Sequence, residues 1–227
     1  MRLPTLRPAP AEYGPEFMET MANQYLERTP WTELRLAAVL DLVEPEAGER
    51  VLDLGCAAGA ITHFLSEQGC ETVGVDAEPL AIETARRLFP GLTFEVADVA
   101  SLPFSAESFD KAVAADLVEH LDDATFGQML AETMRVLRLS GTLSIYTPNP
   151  RHLIERLKAH NLLLAENPTH VGLRTAPELR EALQVAGFTV DRDEWRPSFF
   201  RVLRTVERLA GPGTSFLRYR LCLRGRK

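Results

Sequence analysis

The fold is decided by the stretch RVLDLGCAAGAIT, residues 50–62. It predicts a buried strand over 50–54, a turn around Gly55 and Gly59, and the start of a helix at Ala60. Glycines permit a tight turn and a close approach of the backbone to a ligand, and the following helix N-terminus favours an anion. The stretch therefore predicts a ligand site at the carboxyl end of a strand, where backbone N–H groups face the ligand.

Short apolar strands alternate with helices on both sides of this stretch. Because buried parallel strands are joined by helices, the alternation predicts a doubly wound α/β sheet. The pattern changes at the end of the chain, where two segments alternate apolar and polar residues. This alternation is typical of strands with one solvent-exposed face. We expect strands over 50–54, 71–76, 92–96, 109–115, 141–147, 188–195 and 216–225, and helices over 15–28, 31–43, 60–68, 79–89, 124–137, 177–186 and 199–210.

The composition is that of an ordinary globular protein. The chain has 227 residues, 45% of them hydrophobic and 25% charged, and it shows no repeat or linker, so we expect one domain over 1–227. Its three cysteines have neither paired nor metal-ligand spacing, and the N-terminus has prolines where a signal peptide has an apolar core. We therefore expect a cytoplasmic protein with no metal, and no membrane-spanning helix because no apolar run approaches ~18 residues.

Charge is distributed unevenly along the chain. Residues 196–227 contain nine Lys or Arg and one acid, whereas the rest contain 16 and 31. A basic end on an acidic body suggests anionic partners for that end, or contact with the body itself. In the predicted helix 199–210, arginines punctuate an apolar face, which permits peripheral contact with an anionic membrane. We favour packing of that face on the chain's own sheet; it consists of Phe199, Val202, Leu203, Val206 and Leu209.

Two classes of ligand compete for the glycine turn. A dinucleotide fingerprint needs G-x-G-x-x-G/A, and the segment from Gly55 to Ala60 matches only with Ala57 in place of the second glycine. Because that glycine lets the backbone approach a pyrophosphate closely, Ala57 disfavours a nicotinamide-dependent oxidoreductase. A tight turn without any ligand is the other alternative.

Two acids follow the next strands of the predicted sheet. Asp76 ends the second strand, where a carboxylate accepts hydrogen bonds from two ribose hydroxyls or caps the next helix. Asp98 follows the third strand, where it accepts from an exocyclic amine such as adenine N6, or serves as a turn residue. The backbone N–H of Val99 is placed to meet a ring nitrogen. Together with the glycine turn, these positions fit one nucleoside.

Four motifs in this order resemble those of class I S-adenosylmethionine-dependent methyltransferases: VLDLGCAAG, VGVD, ADVASLPF and FDKAVAADLVEHLDD. The stretch NPTHVGLRTAPELREALQVAGFTV is similar to the small-molecule, ubiquinone-biosynthesis-like branch of that family. The resemblance runs from about Trp31 to the end of the chain. It implies a doubly wound Rossmann-like seven-stranded sheet, mostly parallel with the last strand antiparallel. It also implies S-adenosylmethionine as cofactor and S-adenosylhomocysteine as product. This cofactor has a carboxylate and an ammonium group where a dinucleotide has a pyrophosphate.

The resemblance implies roles for individual residues at the strand ends. The methionine part of the cofactor would contact Asp53 and the glycine turn, and the ribose would contact Asp76. The adenine would meet Asp98, and the sulfonium side would lie beside the end of the fourth strand. The family usually has glycine where this chain has Ala57. The implied cofactor-binding residues are Asp53, Gly55, Cys56, Ala57, Gly59, Asp76, Ala77, Asp98, Val99, Ala115, Asp116 and Leu117.

A methyl acceptor that is a phenol or another hydroxyl must lose a proton, and a histidine is a suitable base. His120 follows the fourth predicted strand and His170 lies in a loop further on; we name both as candidate catalytic residues, with a structural role as the alternative for each. We expect the acceptor pocket to come from an N-terminal helical lid, 1–45, and an insert, 148–175. The candidate acceptor-binding residues are Tyr25, Trp31, Tyr146, Asn149 and Arg151.

These observations predict an enzyme that methylates a small molecule on oxygen, nitrogen or carbon. An acidic body disfavours a phosphate backbone, and the chain lacks an Asn-Pro-Pro-Tyr type motif after the fourth strand, so we expect no nucleic-acid partner. A non-catalytic S-adenosylmethionine-binding protein and, with less support, a nicotinamide-dependent oxidoreductase are the alternatives. The apolar run 161–164 of the insert suits a cover over an apolar acceptor, or ordinary core.

Overall fold

The computed structural model describes residues 15–159 and 169–227. The first 14 residues of the expected N-terminal lid, 1–45, and the apolar run 161–164 lie outside the described residues. The helices are α1 (Pro15–Leu26), α2 (Pro30–Val43), α3 (Ala60–Glu67), α4 (Pro79–Leu88), α5 (Asp123–Val136), α6 (Leu153–Ala159), α7 (Ala176–Val185) and α8 (Arg201–Ala210). The strands are β1 (Arg50–Leu54), β2 (Glu71–Asp76), β3 (Thr93–Val96), β4 (Phe109–Ala115), β5 (Leu137–Pro148), β6 (Thr189–Arg196) and β7 (Arg220–Arg226).

The strands form one seven-stranded sheet in the order β3-β2-β1-β4-β5-β7-β6. The first five strands of the chain pair in parallel, and β7 runs antiparallel between β5 and β6. This confirms the predicted mostly parallel sheet with an antiparallel last strand. The direction of winding reverses between β1 and β4, and in such sheets a ligand crevice opens at the carboxyl ends of the strands on either side.

The sheet is buried on both faces, as its apolar strands predict. Along β4, Ala112 and Ala114 belong to a core that includes α5 and α7. Val113, which points to the opposite face, belongs to a second core that includes α2 and α3. All three side chains are fully buried, because helices cover the central parallel strands on each side.

The predicted elements are present, but helix α6 was not predicted, and β5 begins at Leu137 instead of 141. A further difference lies near the end of the chain. A strand was expected over 216–225, but β7 begins at Arg220, and Ser215–Leu217 form a 3₁₀ turn. The Thr214 hydroxyl accepts from the N–H of Phe216, and the carbonyls of Ser215 and Arg218 accept from the amide of Asn149. Because these hydrogen bonds hold the backbone before Arg220 in a turn, this segment does not pair with the neighbouring strands.

The predicted packing of helix α8 is wrong. Its apolar residues Val202 and Leu209 are each 81% exposed, whereas Glu207 is fully buried. A carboxylate oxygen of Glu207 lies 2.9 Å from Nε2 of His152, which is also fully buried, and the other accepts from the N–H of Ser198. The helix therefore docks through a buried hydrogen bond between Glu207 and His152, and its apolar face points outward.

The basic C-terminal region contacts the acidic body, one of the two outcomes that its charge predicted. Arg196 pairs with Asp41, and Arg224 lies 2.6 Å from Glu44. In the part of the chain that is described, no helix is both long enough and apolar enough to cross a bilayer.

Candidate active site

The glycine turn after β1 has the conformation that its sequence predicts. Gly55 and Gly59 have φ angles of 68° and 81°, a region that side chains rarely tolerate. A Cβ atom at Gly55 would lie 2.7 Å from Cδ1 of Leu117, and one at Gly59 would lie 2.6 Å from the ring of Phe94. Both positions therefore require glycine, and the turn fits closely between β3 and the segment after β4.

The sequence predicted that the backbone N–H groups of the turn face a ligand, but several of them are hydrogen-bonded within the protein. The N–H of Cys56 donates to Val75 and that of Gly59 donates to the carbonyl of Cys56, each at 2.9 Å. The N–H of Ala57 donates to Oδ2 of Asp76, also at 2.9 Å. These three donors shape the turn, so an anion at this edge depends on other groups as well.

Asp76 and Asp98 stand at the ends of neighbouring strands with room for further partners. The two oxygens of Asp76 accept from the N–H groups of Ala57 and Glu78, one each. Since a carboxylate oxygen has a second lone pair, both oxygens retain capacity for ribose hydroxyls. Asp98 is exposed and accepts from the N–H of Ala100 at 2.9 Å. The side chain that caps α4 is that of Glu78, not Asp76.

Asp53, near the end of β1, is a buried carboxyl group. Its Oδ2 accepts from the hydroxyl of Thr62 at 2.6 Å. Burial raises the pKa of Asp53 to about 7, against the opposing effect of its hydrogen bonds with Thr62. A carboxylate in this position gains from a neighbouring cation, because desolvation disfavours its charged form.

A buried charge network, which sequence reasoning missed, adjoins the turn. Nη2 of Arg35 on α2 lies 2.9 Å from Asp116, and Nη1 of Arg220 on β7 lies 2.8 Å from the other carboxylate oxygen. Asp116 follows β4 with a φ of 55°, and Arg35 also donates to the carbonyl of Ala115. The only local signal was an arginine within the largely apolar sequence of helix α2.

Three of the five predicted acceptor residues come together around Arg35. The Tyr25 and Trp31 rings meet edge to face with centroids 5.7 Å apart, and the Arg35 guanidinium lies 6.0 Å from the Tyr146 centroid. Burial raises the pKa of Tyr146 well above its usual range, so its phenol stays protonated. The other two predicted residues, Asn149 and Arg151, lie beyond the end of β5, where Asn149 binds the backbone around the 3₁₀ turn.

The two predicted histidines lie in contact, although 50 residues separate them in the chain. The ring centroids of His120 and His170 are 5.0 Å apart at 75°, and Nδ1 of His120 lies 3.0 Å from the carbonyl oxygen of Thr169. Beside them, Glu119 is buried and accepts from the Thr147 hydroxyl at 3.0 Å. Burial raises the pKa of Glu119 to about 8, and the charge of Asp116 adds to the effect.

Comparison with known proteins identifies the family of the chain. A methyltransferase domain model matches residues 51–141, and a trans-aconitate 2-methyltransferase from Methylobacterium nodulans is 32% identical over 196 residues, covering 80% of this chain and 73% of that protein. The chain belongs to the class I S-adenosylmethionine-dependent methyltransferase family. A probable S-adenosylmethionine-dependent methyltransferase from Mycolicibacterium smegmatis is 31% identical over 145 residues, 64% of this chain and 54% of that protein.

Solved structures show the same fold. The S-adenosylmethionine-dependent methyltransferase from Mesorhizobium loti aligns with a TM-score of 0.66 and 19% identity, over 89% of this chain and all of that one. The chain spans between 53% and 61% of the length of four of the curated relatives that it matches. The structural match therefore covers the whole Mesorhizobium loti chain, whereas the four curated relatives contain sequence outside the region that matches this chain.

The strand-end residues fit the cofactor of this family. Asp53 offers a buried carboxylate for an ammonium group, and Asp76 offers two oxygens for ribose hydroxyls. The missing Cβ atoms of Gly55 and Gly59 leave the turn free of side chains where the cofactor's methionine part is expected. Nothing in this edge of the sheet conflicts with S-adenosylmethionine among the residues described.

Proposed function

We propose that this protein transfers the methyl group of S-adenosylmethionine to a small-molecule acceptor. The observation that carries the proposal is the alignment of three carboxyl groups, Asp53, Asp76 and Asp98, along the ends of the adjacent strands β1, β2 and β3. When bound, the cofactor supplies an activated methyl group on sulfur. Asp76 holds the ribose, Asp53 and the glycine turn hold the methionine part, and Asp98 meets the adenine.

The chain's own contribution to the reaction is alignment and the exclusion of water. Methyl transfer is an in-line displacement, so a fixed approach of the acceptor supplies most of the acceleration. The segment from Ala115 to Leu117 flanks the reacting methyl group, and its backbone is held by the ion pairs of Asp116 with Arg35 and Arg220. His120 and His170, at the same edge, assist the loss of a proton from a hydroxyl acceptor.

The acceptor binds within a single methyltransferase domain, between its N-terminal helices and the segment that follows β5. Tyr25, Trp31 and Tyr146 supply aromatic surface that is buried or partly buried. The rings of Tyr25 and Tyr146 lie beside Arg35, and Trp31 contacts Tyr25. A small molecule is favoured over nucleic acid because several arginines of the basic C-terminal region are committed to acids of the body. Phosphate contacts need such side chains to face a partner.

Calorimetric titration with S-adenosylhomocysteine tests the proposal, with NADH as the control ligand. We expect binding of S-adenosylhomocysteine alone, weakened by about 1–3 kcal/mol in Asp76→Ala, because a carboxylate that accepts from ribose is lost. NADH binding alone would favour an oxidoreductase. Turnover against a panel of small hydroxyl, amine and carboxylate acceptors then separates an enzyme from a protein that binds the cofactor without catalysis.

A further inference from the structure

Three metal-binding side chains meet beside the proposed methyl-transfer position. Glu119 and His120 belong to the 3₁₀ turn after β4, and His170 belongs to the loop before α7. One ligand atom from each, a carboxylate oxygen and two imidazole nitrogens, lies within 4.8 Å of the others. Ligand atoms that share a cation at about 2.0–2.2 Å fall within this span.

His120 is oriented as a metal-ligating histidine is. Its Nδ1 lies 3.0 Å from the carbonyl oxygen of Thr169, and since a carbonyl only accepts, Nδ1 carries the hydrogen. In the neutral ring the lone pair is then on Nε2. A hydrogen bond from the other ring nitrogen to a backbone carbonyl is the usual way in which proteins fix the orientation of a histidine that binds a metal.

Glu119 supplies a carboxyl group whose ionised form is costly to bury. The residue is 1% exposed. Among the described residues its carboxylate forms no ion pair with Lys or Arg within 4 Å, and Arg220 favours its charged form only from further away. Its Oε2 is positioned by the hydroxyl of Thr147. Since buried carboxylates are paired or coordinate metals, a cation between Glu119 and the two imidazoles would compensate the charge.

The backbone holds the two halves of the cluster together. Arg174, largely buried, donates to the carbonyls of Val118 and Gly172 through Nη1 and to the carbonyl of Leu121 through Nη2, at 2.8–3.0 Å. The N–H of Gly172 also donates to the carbonyl of Glu119 at 2.9 Å. A Cβ atom at Gly172 would lie 1.9 Å from the carbonyl oxygen of Leu121, so this approach requires glycine. Hydrogen bonds from Arg174 and from the N–H of Gly172 therefore hold the loop of His170 against the turn of Glu119, with or without a cation.

We propose that Glu119, His120 and His170 bind a divalent transition-metal cation whose open positions hold the hydroxyl oxygen of the methyl acceptor. Two imidazoles and one carboxylate suit Zn²⁺, Mn²⁺, Fe²⁺ or Co²⁺, and three protein ligands leave positions for a substrate. This inference rests on the proposed function, and it assigns hydroxyl compounds as the substrate class. The sequence predicted no metal, because the ligands are distant in the chain and lack a recognised spacing.

The cation supplies the deprotonation that a hydroxyl acceptor needs. The two histidines then assist the loss of the proton through the cation and not as bases: coordination lowers the pKa of the hydroxyl, and its proton leaves to water. An electron pair of the resulting oxygen anion forms the bond to the methyl carbon, while the electrons of the carbon–sulfur bond remain on sulfur. The sulfonium thus becomes a neutral thioether, and charge balances without an oxidant or reductant.

Calorimetric titration of the chelator-stripped full chain with Zn²⁺, Mn²⁺ and Co²⁺ tests the cation site. We expect one cation per chain, bound more than about ten-fold more weakly by His170→Ala and Glu119→Gln. His170→Ala is the safer variant, since Glu119 is buried and His170 is partly exposed. His63→Ala removes a histidine that lies 3.6 Å from Glu67 on α3, and as a matched control it should bind the cation as the unaltered chain does.

Two further readouts complete the test. Acetohydroxamate, a small oxygen chelator, should bind the Co²⁺-loaded chain and change its visible spectrum, and should not bind the stripped chain. Equal cation affinity in His170→Ala and the unaltered chain, or no cation binding, would overturn the site; an unchanged spectrum would overturn the open positions. Titration of the same stripped sample with S-adenosylhomocysteine keeps the two proposals apart. If the chain binds S-adenosylhomocysteine but no cation, the metal site alone is refuted; if it binds neither, the proposed function fails as well.

Discussion

At the scale of single residues, Ala57 is under strain that a glycine would relieve. Its φ is 47°, where a non-glycine residue costs roughly 1–2 kcal/mol, and its side chain is exposed. Glycine loses more conformational freedom on folding, about 0.5–1 kcal/mol. We therefore expect Ala57→Gly to raise the free energy of unfolding in urea by about 0.5–1 kcal/mol.

A neighbouring alanine provides the control for this substitution. Ala58 is buried against Met18 and Ala22 and has no left-handed backbone. Ala58→Gly should therefore lower the free energy of unfolding, opposite in sign to Ala57→Gly. If both substitutions destabilise equally, the left-handed conformation of Ala57 is not a source of strain.

Asp53 makes stability depend on pH in a direction opposite to that of most carboxylates. Its pKa of about 7 in the folded chain lies above the ordinary value near 3.9 of an unfolded chain. The folded state therefore binds the proton more tightly. The resulting stabilisation is fully present below about pH 4 and is lost as pH rises through about 7.

Asp53→Asn should remove this pH dependence. Between pH 5 and pH 8 the free energy of unfolding in urea should fall for the unaltered chain by on the order of 2–4 kcal/mol more than it does for the variant. Asp98→Asn, which changes an exposed carboxylate, should follow the unaltered chain. An unaltered chain and an Asp53→Asn variant with the same pH profile would show that Asp53 is ionised throughout.

At the scale of elements, helix α8 shows what a local pattern does and does not determine. Its apolar stripe predicted a helix, and a helix forms. The stripe did not determine which face packs, because that depends on His152, which is 55 residues before Glu207 in the chain. The same limit applies to Arg174, whose carbonyl acceptors lie on a turn more than 50 residues earlier.

The strands and the glycine turn, in contrast, were predictable because their signals are local. The run from Arg50 to Leu54 is apolar enough to be buried on both faces, and Gly55 and Gly59 mark its end. Asp76 and Asp98 were recognised as strand-end acids by the same local pattern. Pairing across the sheet then brings these ends together, so much of the cofactor edge follows from sequence, whereas the side-chain network behind it does not.

The orientation of α8 leads to a direct comparison of variants. Because Val202 and Leu209 are exposed, the double variant Val202→Lys/Leu209→Lys should change the free energy of unfolding by less than about 0.5 kcal/mol per site. Glu207→Ala leaves the buried His152 imidazole and the N–H of Ser198 without their acceptor and should cost about 1–3 kcal/mol. Urea unfolding measures both, and a larger loss in the lysine variant than in Glu207→Ala would show that the apolar face is the one that packs.

At the scale of the whole molecule, one carboxylate joins distant parts of the chain. Asp116 follows β4, Arg35 lies on the N-terminal helix α2, and Arg220 begins the last strand, β7. Strand β7 lies between β5 and the edge strand β6. Because it runs antiparallel to β5, its first residue, Arg220, pairs with Pro148 at the carboxyl end of β5. The late strand therefore supports the proposed active site as well as closing the sheet.

A double-mutant cycle between Arg220 and Asp116 measures this link. Asp116→Asn leaves Arg35 and Arg220 buried without the carboxylate that they share, and should lower the free energy of unfolding by about 3–5 kcal/mol. Arg220→Met leaves Asp116 paired with Arg35 alone and should cost less. The double variant should cost less than the sum by about 1–3 kcal/mol, because the groups share one network. The exposed pair of Arg87 with Glu19, 3.1 Å apart, should show far weaker coupling because solvent screens it. Equal coupling in the two cycles would mean that burial adds nothing to the Arg220–Asp116 pair, and that β7 does not stabilise the site through it.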